Sequence, residues 1–324
     1  LIATSTHDTK RSEDVRARLA ALSELPSLWR LALLRWRVAN RGARGEVNGA
    51  PAPSAKDEYL YYQTLLGIWP DGGGEVKEVK KRVSAYMLKA VREAKERTSW
   101  INPDAEYEQA LERFIDASLE NKVFLKELDA LAAHLSRLGK LVSLSQAAIK
   151  VASPGVPDYY QGTEAWDLSL VDPDNRRAVD YRARRSLLES EFRGEDLAKW
   201  LRSGAAKLQV IRKGLALRKD FRELFHAPAY APLYADAGMD EKVCEFALSA
   251  GLDRVVAVAP RLFAALLPEN APMIPVSAWG TSTLAVPEGE YENVLTGEKL
   301  RSGGALAIAD LLRRFPVALL RSLR

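Results

Sequence analysis

Apolar residues recur at intervals of three and four along residues 13–138, and no other feature limits the possible fold so strongly. Val15, Leu19 and Leu22 begin the series. This spacing places them on one face of an α-helix. Pro26 is expected to divide the first stretch into two helices, because a proline ring clashes with the preceding turn. Helices are predicted over residues 13–39, 57–66, 75–95 and 105–138.

Turn and capping residues separate these helices. Residues 40–55 read NRGARGEVNGAPAPSA, and their Gly, Pro and Asn content predicts a loop. Ser12 precedes Glu13 and Asp14, so it is a predicted N-cap with acidic residues in the first turn. Further helices are predicted over residues 144–151, 177–192 and 204–222.

The pattern changes after Tyr230. Short runs rich in β-branched and aromatic residues, among them KVCEFAL, RVVAVA and VALL, alternate with Gly and Pro turns. Only two short strands are expected before this region, over residues 1–7 and in the VPDYY segment at 156–160. The chain is therefore predicted to be mostly α by content, with an all-β domain at its C-terminal end.

Composition and charge argue against several classes of protein. The 324 residues include 47 basic and 43 acidic side chains, so the net charge is only +4. The sequence has no stripe of Lys and Arg interleaved with aromatic residues, so nucleic-acid binding has little support. No apolar run approaches the roughly twenty residues that span a bilayer, and no membrane association is expected. The single cysteine, Cys244, fits a reducing, cytoplasmic compartment.

His7 and Asp8 follow the first predicted strand and precede a helix. In a β/α barrel the C-terminal ends of the strands build the active site, which makes this pair a candidate for catalysis. The alternative is that Asp8 and Thr9 only cap a turn, and the pattern alone does not separate these two interpretations.

A metal phosphohydrolase would need more histidines, and His134 and His226 do not lie at ligand spacing. No metal site and no organic cofactor are predicted.

Aromatic residues form a second group of candidates. The segment SPGVPDYYQGTEAWDLSLVDPDNRR carries Tyr159, Tyr160 and Trp166 in a loop after the second predicted strand. Aromatic rings in such loops suit stacking on a sugar or a base, although Trp166 is expected to belong to the core. Trp100 lies beside Asn102 in the loop ERTSWINPD, where it serves either packing or binding.

Four segments along the chain resemble the maltooligosyl trehalose synthases, a branch of the α-amylase family of (β/α)8-barrel enzymes. STHDTKRSED is similar to the family segment at the end of barrel strand seven, and SPGVPDYYQGTE is similar to its PGxPxxYxGxE segment at strand eight. TSWINPD and DLSLVDPDNRR resemble the trehalose synthase branch in particular. The long helical insertion and the β-rich tail extend the resemblance over essentially the whole chain.

The resemblance implies the last strands of a (β/α)8 barrel, interrupted by a large all-α insertion and followed by an all-β domain. The family's nucleophilic Asp and acid/base Glu lie on strands four and five, upstream of Leu1. The chain is therefore expected to be a C-terminal portion, inactive alone, whose partner is the missing N-terminal half. The implied division is strand seven with its active-site loop (1–18), the helical insertion (19–138), the strand-eight region with its following helices (139–226) and the C-terminal β domain (227–324).

The resemblance also implies a reaction. The family converts the reducing-end α-1,4 linkage of a maltooligosaccharide into an α,α-1,1 linkage by intramolecular transglucosylation, for which a retaining double displacement is suited. By the match, Asp8 is the third catalytic carboxylate and accepts hydrogen bonds from sugar hydroxyls as positive charge develops. The expected substrate-binding residues are His7, Lys10, Tyr160, Gln161 and Trp100.

Two alternatives remain open at the level of the sequence. One is a related α-glucan hydrolase or glucanotransferase with the same fold, which the product formed from maltopentaose would distinguish. The other is a non-catalytic carbohydrate-binding or structural fragment, which the absence of the two family carboxylates from this sequence favours.

Overall fold

The protein folds into two compact units. The computed structural model describes residues 1–72, 75–190, 197–236, 238–269, 271 and 273–323. The helical unit comprises His7–Arg137 and Leu168–Arg177. The sheet unit comprises Leu1–Thr6, Leu138–Asp167 and Ala178–Arg324. No helix among the described residues is both long enough and apolar enough to cross a membrane.

The helical unit follows the apolar periodicity of the sequence. Pro26 occupies the first position of the second helix, where its missing N–H costs nothing. Ser54 and Asp104 cap the third and fifth helices by accepting hydrogen bonds from Asp57 N and Tyr107 N. The helices are α1 (Glu13–Leu22), α2 (Pro26–Ala39), α3 (Ala55–Ile68), α4 (Val76–Ala94), α5 (Ala105–Glu120) and α6 (Lys122–Ala152), of which α6 continues into the sheet unit.

Two boundaries differ from the sequence prediction. The predicted helix over 105–138 is broken after Glu120, and α6 then runs without interruption through the segment predicted as a separate helix at 144–151. The break has a local cause, because Asn121 Oδ1 accepts hydrogen bonds from the backbone N–H groups of Val123 and Phe124 and so begins a new helix. Ser12 does occupy the N-cap position of α1, but its side chain makes no capping hydrogen bond.

The segment predicted as a loop over residues 40–55 contains a β-hairpin. Strands β2 (Gly45–Val47) and β3 (Ala50–Ala52) pair antiparallel. Asn48 and Gly49 connect them with φ values of 53° and 73°. Two left-handed residues in sequence match the twist of a tight hairpin, and Asn-Gly is the preferred pair for that conformation.

Edge-to-face aromatic contacts fill the core of the helical unit. Trp36, which is fully buried, has its ring centroid 5.3 Å from that of Phe124 and 5.4 Å from that of Tyr62. Phe114 packs against both Tyr61 and Tyr62. Such rings contribute large buried areas with a preferred geometry, so this cluster fixes how α2, α3, α5 and α6 pack together.

The sheet unit begins with a short parallel pair of strands. β1 (Ile2–Ala3) pairs with β4 (Pro157–Asp158), and Ile2 N donates a hydrogen bond of 2.8 Å to Val156 O. Both strands are shorter than the predicted segments 1–7 and 156–160, because only two residues of each adopt ladder pairing. No closed barrel is present among the described residues.

Helices follow the parallel pair. Trp166 packs against the core of the unit, as expected, and its indole N–H donates to Leu201 O. The helix predicted over 177–192 is limited to eight residues, and positions 191 and 192 lie outside the described part of the chain. The helices are α7 (Tyr181–Leu188), α8 (Leu197–Ser203), α9 (Ala205–Asp220) and α10 (Arg222–His226).

The region after Tyr230 is β-rich, as predicted. Its main sheet has six antiparallel strands in the order β10-β9-β12-β7-β6-β5. A smaller antiparallel pair, β8 with β11, lies beside the short helix α11. The strands and the helix are β5 (Ala229–Leu233), β6 (Val243–Ala250), β7 (Asp253–Pro260), β8 (Thr283–Leu284), β9 (Gly289–Asn293), β10 (Glu298–Ser302), β11 (Leu306–Ala307), α11 (Ile308–Leu311) and β12 (Ala318–Ser322).

Candidate functional site

The structure brings the two side chains of the predicted His–Asp pair into contact. His7 Nε2 lies 3.2 Å from Asp8 Oδ2, and 84% of the Asp8 side chain is exposed to solvent. Both residues lie in the loop that leads from β1 to α1, here called the His–Asp loop (residues 7–12). An exposed carboxylate can accept hydrogen bonds from a polar ligand such as a sugar, and the imidazole beside it can donate one.

A distant segment of the chain binds both ends of this loop. At one end, Asn175 Nδ2 donates a hydrogen bond of 2.8 Å to the main-chain oxygen of His7. At the other end, Ser12 N donates a hydrogen bond of 2.9 Å to Ser169 O, and Arg11 forms an antiparallel bridge with Leu170. We call residues 168–177, which include the DPDNRR motif, the clamp segment.

The clamp segment is in turn fixed to α4 by a bidentate ion pair. Arg82 Nε and Nη2 donate to the two carboxylate oxygens of Asp174 at 3.0 and 2.9 Å. The two side chains are only 12% and 13% exposed. Asp174 also accepts from Leu170 N at 2.7 Å, and Lys89 Nζ donates to Asp172 O at 2.9 Å. Paired guanidinium and carboxylate groups of this geometry hold a defined orientation.

Lys10 and Arg11, the basic residues of the His–Asp loop, lie against α3 and α4. Lys10 Nζ is 2.8 Å from Glu93 Oε2. Arg11 Nη2 donates to Thr64 Oγ1 at 3.0 Å, and its guanidinium lies 5.9 Å from the ring centroid of Tyr86. The side chains of this loop are thus positioned by neighbouring helices.

A cavity lies between α4 and the clamp segment, entirely within the helical unit. Its volume is about 230 Å³. Leu170 and Val171 form an apolar part of its wall, Tyr86 lies on the α4 side, and Lys81 and Arg177 add positive charge. The cavity is open and combines apolar, aromatic and charged groups, which is the usual character of a small-molecule pocket.

Trp100 is presented at the surface. The residue is 57% exposed, and the guanidinium of Arg92 lies 4.9 Å from its ring centroid. Arg92 donates to both carboxylate oxygens of Glu108 at 2.7 and 2.6 Å, and these hydrogen bonds hold the pKa of the Glu108 carboxyl below its ordinary value. The alternative that Trp100 serves as core packing is therefore not supported.

Tyr160 and Gln161 belong to the sheet unit, whereas the other candidates belong to the helical unit. Tyr160 O accepts hydrogen bonds from Thr163 N and Thr163 Oγ1 at 3.1 and 2.7 Å, which closes a tight turn after β4. Arg184 Nη2 donates to Gly162 O in the same turn at 2.7 Å. The side chain of Gln161 is exposed. The turn is therefore a defined scaffold for both side chains.

The neighbouring Tyr159 has a different role from the stacking one considered for it. Lys150 Nζ lies 3.9 Å from the centroid of its ring and donates to Thr4 Oγ1 at 2.8 Å. Lys150 is only 4% exposed. The pair therefore braces the end of α6 against the first residues of the chain.

The described residues contain no group of three or more His, Cys, Asp or Glu side chains arranged to hold a metal ion.

The sequence did not identify Asn175 or Arg82 as residues near the site. The only signal for Asn175 was the resemblance of the DPDNRR motif to a known family, and no sequence signal pointed to Arg82.

Comparison with known proteins identifies relatives along the whole chain. No family model matches it. Over 316 residues, 98% of its length, the chain is 34% identical to proteins of Mycobacterium tuberculosis, strains CDC 1551 and H37Rv, named as maltooligosyl trehalose synthases. The solved maltooligosyltrehalose synthase of Arthrobacter ramosus is 35% identical over 99% of this chain, with a TM-score of 0.76. A hypothetical maltooligosyl trehalose synthase of Sulfolobus tokodaii is 30% identical over 99% of this chain, with a TM-score of 0.74.

The matched region is only part of each relative. The chain spans 37% of the length of the curated relatives. It likewise spans 38% of the solved Arthrobacter ramosus and Sulfolobus tokodaii chains.

Proposed function

We propose that this chain, which is similar along its whole length to part of the maltooligosyl trehalose synthases, supplies part of the active site of such an enzyme. The observation that carries the proposal is the exposed His7–Asp8 pair directly after β1, a strand that pairs in parallel with β4. On this proposal β1 and β4 are strands seven and eight of a (β/α)8 barrel, and polar residues after barrel strands line the active site.

The proposed reaction moves one glycosidic bond within a maltooligosaccharide. The α-1,4 bond to the reducing-end glucose breaks as a carboxylate nucleophile captures the chain, and the anomeric hydroxyl of the released glucose then attacks to form the α,α-1,1 bond. A general acid protonates the leaving oxygen and later removes the proton of the attacking hydroxyl. No water is consumed. The nucleophile and the acid/base residue would come from the N-terminal half, which is the proposed partner of this chain.

Within this reaction Asp8 is the proposed catalytic carboxylate of the chain. Its negative charge would stabilise the positive charge that develops on the sugar ring. His7 would donate to a hydroxyl of the same ring, and Lys10 would bind a neighbouring glucose unit. Tyr160, Gln161 and Trp100 are proposed to contact further parts of the oligosaccharide. Neither a metal ion nor an organic cofactor is required by this chemistry, and a cytoplasmic location is proposed.

The proposal extends to the organisation of the chain. Residues 1–18 would be strand seven with its active-site loop, and residues 19–138 the helical insertion. Residues 139–226 would hold strand eight and the following barrel helices, and residues 227–324 the C-terminal β domain. The α4–α5 loop with Trp100 and the clamp segment would then border the substrate cleft.

The decisive experiment counts reducing ends after incubation with maltopentaose. The chain is joined to the preceding segment of a maltooligosyl trehalose synthase, and this completed enzyme is compared with the chain alone. Isomerisation removes reducing ends, hydrolysis adds them, and glucan transfer leaves their number unchanged. We expect reducing ends to fall with the completed enzyme, to stay constant with the chain alone, and to stay constant with an Asp8→Asn completed enzyme. A rise in reducing ends would instead assign a hydrolase.

A further inference from the structure

We propose that Asn175 is a positioning residue for the His7–Asp8 pair, acting on the peptide bond between these two residues. This inference rests on the proposed function, since it assigns Asn175 a part in the same reaction. Its basis is the hydrogen bond of 2.8 Å from Asn175 Nδ2 to His7 O, which joins residues 168 positions apart.

The bonded oxygen restricts the directions open to Asp8. His7 O, the following amide nitrogen and the Cα atom of Asp8 lie in one plane, because the peptide bond is planar. A fixed His7 carbonyl therefore fixes the N–Cα bond of Asp8, and of the backbone dihedrals only φ of Asp8 is left to set the direction of its side chain. The Asp8 side chain is 84% exposed, so its surroundings offer little packing to orient it. The held His7 carbonyl adds backbone order to the side-chain contact between His7 and Asp8.

Asn175 is well placed to hold this direction. It is only 9% exposed, and the adjacent Asp174 is locked to Arg82 through two hydrogen bonds. At the other end of the loop, Ser12 N is bound to Ser169 O of the same segment. The His–Asp loop is thus held at its first and last residues by one segment that is itself bound to α4. Catalytic groups need this kind of support, because small displacements lower the rate steeply.

Two substitutions separate the hydrogen bond from the shape and charge of the side chain. Asn175→Asp keeps the shape, but an ionised carboxylate has no hydrogen to donate and repels the His7 carbonyl. Asn175→Leu keeps the number and branching of the side-chain heavy atoms and has neither charge nor donor. The matched control is Arg176→Ala, because Arg176 is the next residue of the clamp segment and pairs with Asp172 at the surface.

The first readout is the imidazole signal of His7 in the nuclear magnetic resonance spectrum of the 324-residue chain. The sequence has only three histidines, so His7 can be assigned from the signal that disappears in a His7→Gln variant. We expect both Asn175 variants to shift or broaden the His7 signal while the signals of His134 and His226 stay in place. Arg176→Ala should leave all three unchanged. An unchanged His7 signal in both Asn175 variants would overturn the proposal.

The second readout is the division between kcat and KM in the completed enzyme. A misdirected Asp8 should lower kcat by about tenfold or more and change KM by no more than about a factor of two. If Asn175 served only the stability of the fold, its replacement would lower the melting temperature, and kcat of the folded fraction would stay the same. Equal kcat values for Asn175→Asp, Asn175→Leu and the unsubstituted enzyme would contradict the inference. Failure of the unsubstituted enzyme to form trehalose linkages would refute the proposed function instead, and the histidine signals would still decide the role of Asn175.

Discussion

The ammonium group of Lys10 lies 2.8 Å from the carboxylate of Glu93, which is 83 residues away along the chain. The two side chains are 61% and 38% exposed. An ion pair this accessible contributes on the order of 1 kcal/mol or less. Lys10 is therefore held against α4 by a contact weak enough to be exchanged, as its proposed role in substrate binding requires.

Replacing Lys10 with alanine should alter substrate handling more than stability. In the completed enzyme we expect a higher KM for maltopentaose and a larger share of free glucose, because a loosely held glucose leaves time for water to attack. Product analysis by chromatography measures this share. Glu93→Gln is the control: it removes the same ion pair but leaves the lysine in place, so it should retain the product ratio. Equal ratios in all three proteins would exclude a role for Lys10 in substrate binding.

Replacing Asp8 with asparagine should lower kcat of the completed enzyme by about 10²-fold or more, since one preorganised electrostatic contact is typically worth that much. The exposure of the side chain predicts that the fold is retained. Thermal unfolding and circular dichroism of the variant chain check this point. Near-normal turnover of maltopentaose by the folded variant would rule out the role assigned to Asp8.

The ion pair of Arg82 and Asp174 should be important for the stability of the helical unit. Both groups are nearly buried, and removal of Arg82 leaves Asp174 with only the half-exposed Arg177, at 3.2 Å, as its counter-charge. We expect Arg82→Ala to destabilise the chain by about 2 kcal/mol, less than the roughly 3–5 kcal/mol of a buried charge left uncompensated, because Arg177 remains beside Asp174. Arg82→Ala combined with Asp174→Ala should cost less than the sum of the single changes. Additive losses in urea unfolding would mean that the two side chains do not interact.

The positions of the helices followed from the sequence, but some of their ends did not. Apolar periodicity carries the information for a helix over many residues, so α1 to α4 lie where they were predicted. The break at Asn121 depends on one side chain that accepts two backbone hydrogen bonds. The spacing of apolar residues carries no information about such a contact. The hairpin at Asn48 and Gly49 was missed for another reason: the composition of residues 40–55 predicted a loop and outweighed the Asn-Gly turn signal.

The candidate site was predictable only where it is local in sequence. His7 and Asp8 are adjacent, and the strand-to-helix position that identifies them can be read from the residues around them. The contact between Asn175 and His7 joins positions 168 residues apart, and no pattern of residue types determines such a pairing. The two-residue pairing of β1 with β4 likewise depends on the fold around it.

Gly67 should be intolerant of even the smallest side chain. A Cβ atom at this position of α3 would lie 2.6 Å from Val15 Cγ1 on α1. Overpacking of this kind costs typically about 1–3 kcal/mol, although alanine otherwise favours a helix over glycine by about 1 kcal/mol. We expect Gly67→Ala to lower the free energy of unfolding, and Val15→Ala to relieve part of that loss in the double variant. Gly42→Ala, where a Cβ meets nothing within 4 Å, is the control and should be neutral.

Glu245 should make the stability of the sheet unit depend on pH. Its side chain is buried on β6, where the residue is 6% exposed and Oε1 has no hydrogen-bond partner among the described residues. Burial, assisted by the nearby charge of Asp240, raises the pKa of this carboxyl from 4.5 to about 7. The folded chain therefore keeps a proton that the unfolded chain loses at lower pH.

Between pH 4.5 and about 7 the folded state binds more protons at this site than the unfolded state, so stability falls as pH rises. The stabilisation that the protonated Glu245 carboxyl contributes is complete below pH 4.5 and is lost above about pH 7. Glu245→Gln places an uncharged amide at this position at every pH. We expect the variant to gain up to about 3 kcal/mol relative to the unsubstituted chain between pH 4 and pH 8, from the size of the shift. Urea unfolding of both proteins across this range gives the difference directly. A difference that does not change with pH would show that the Glu245 carboxyl ionises alike in the folded and unfolded states.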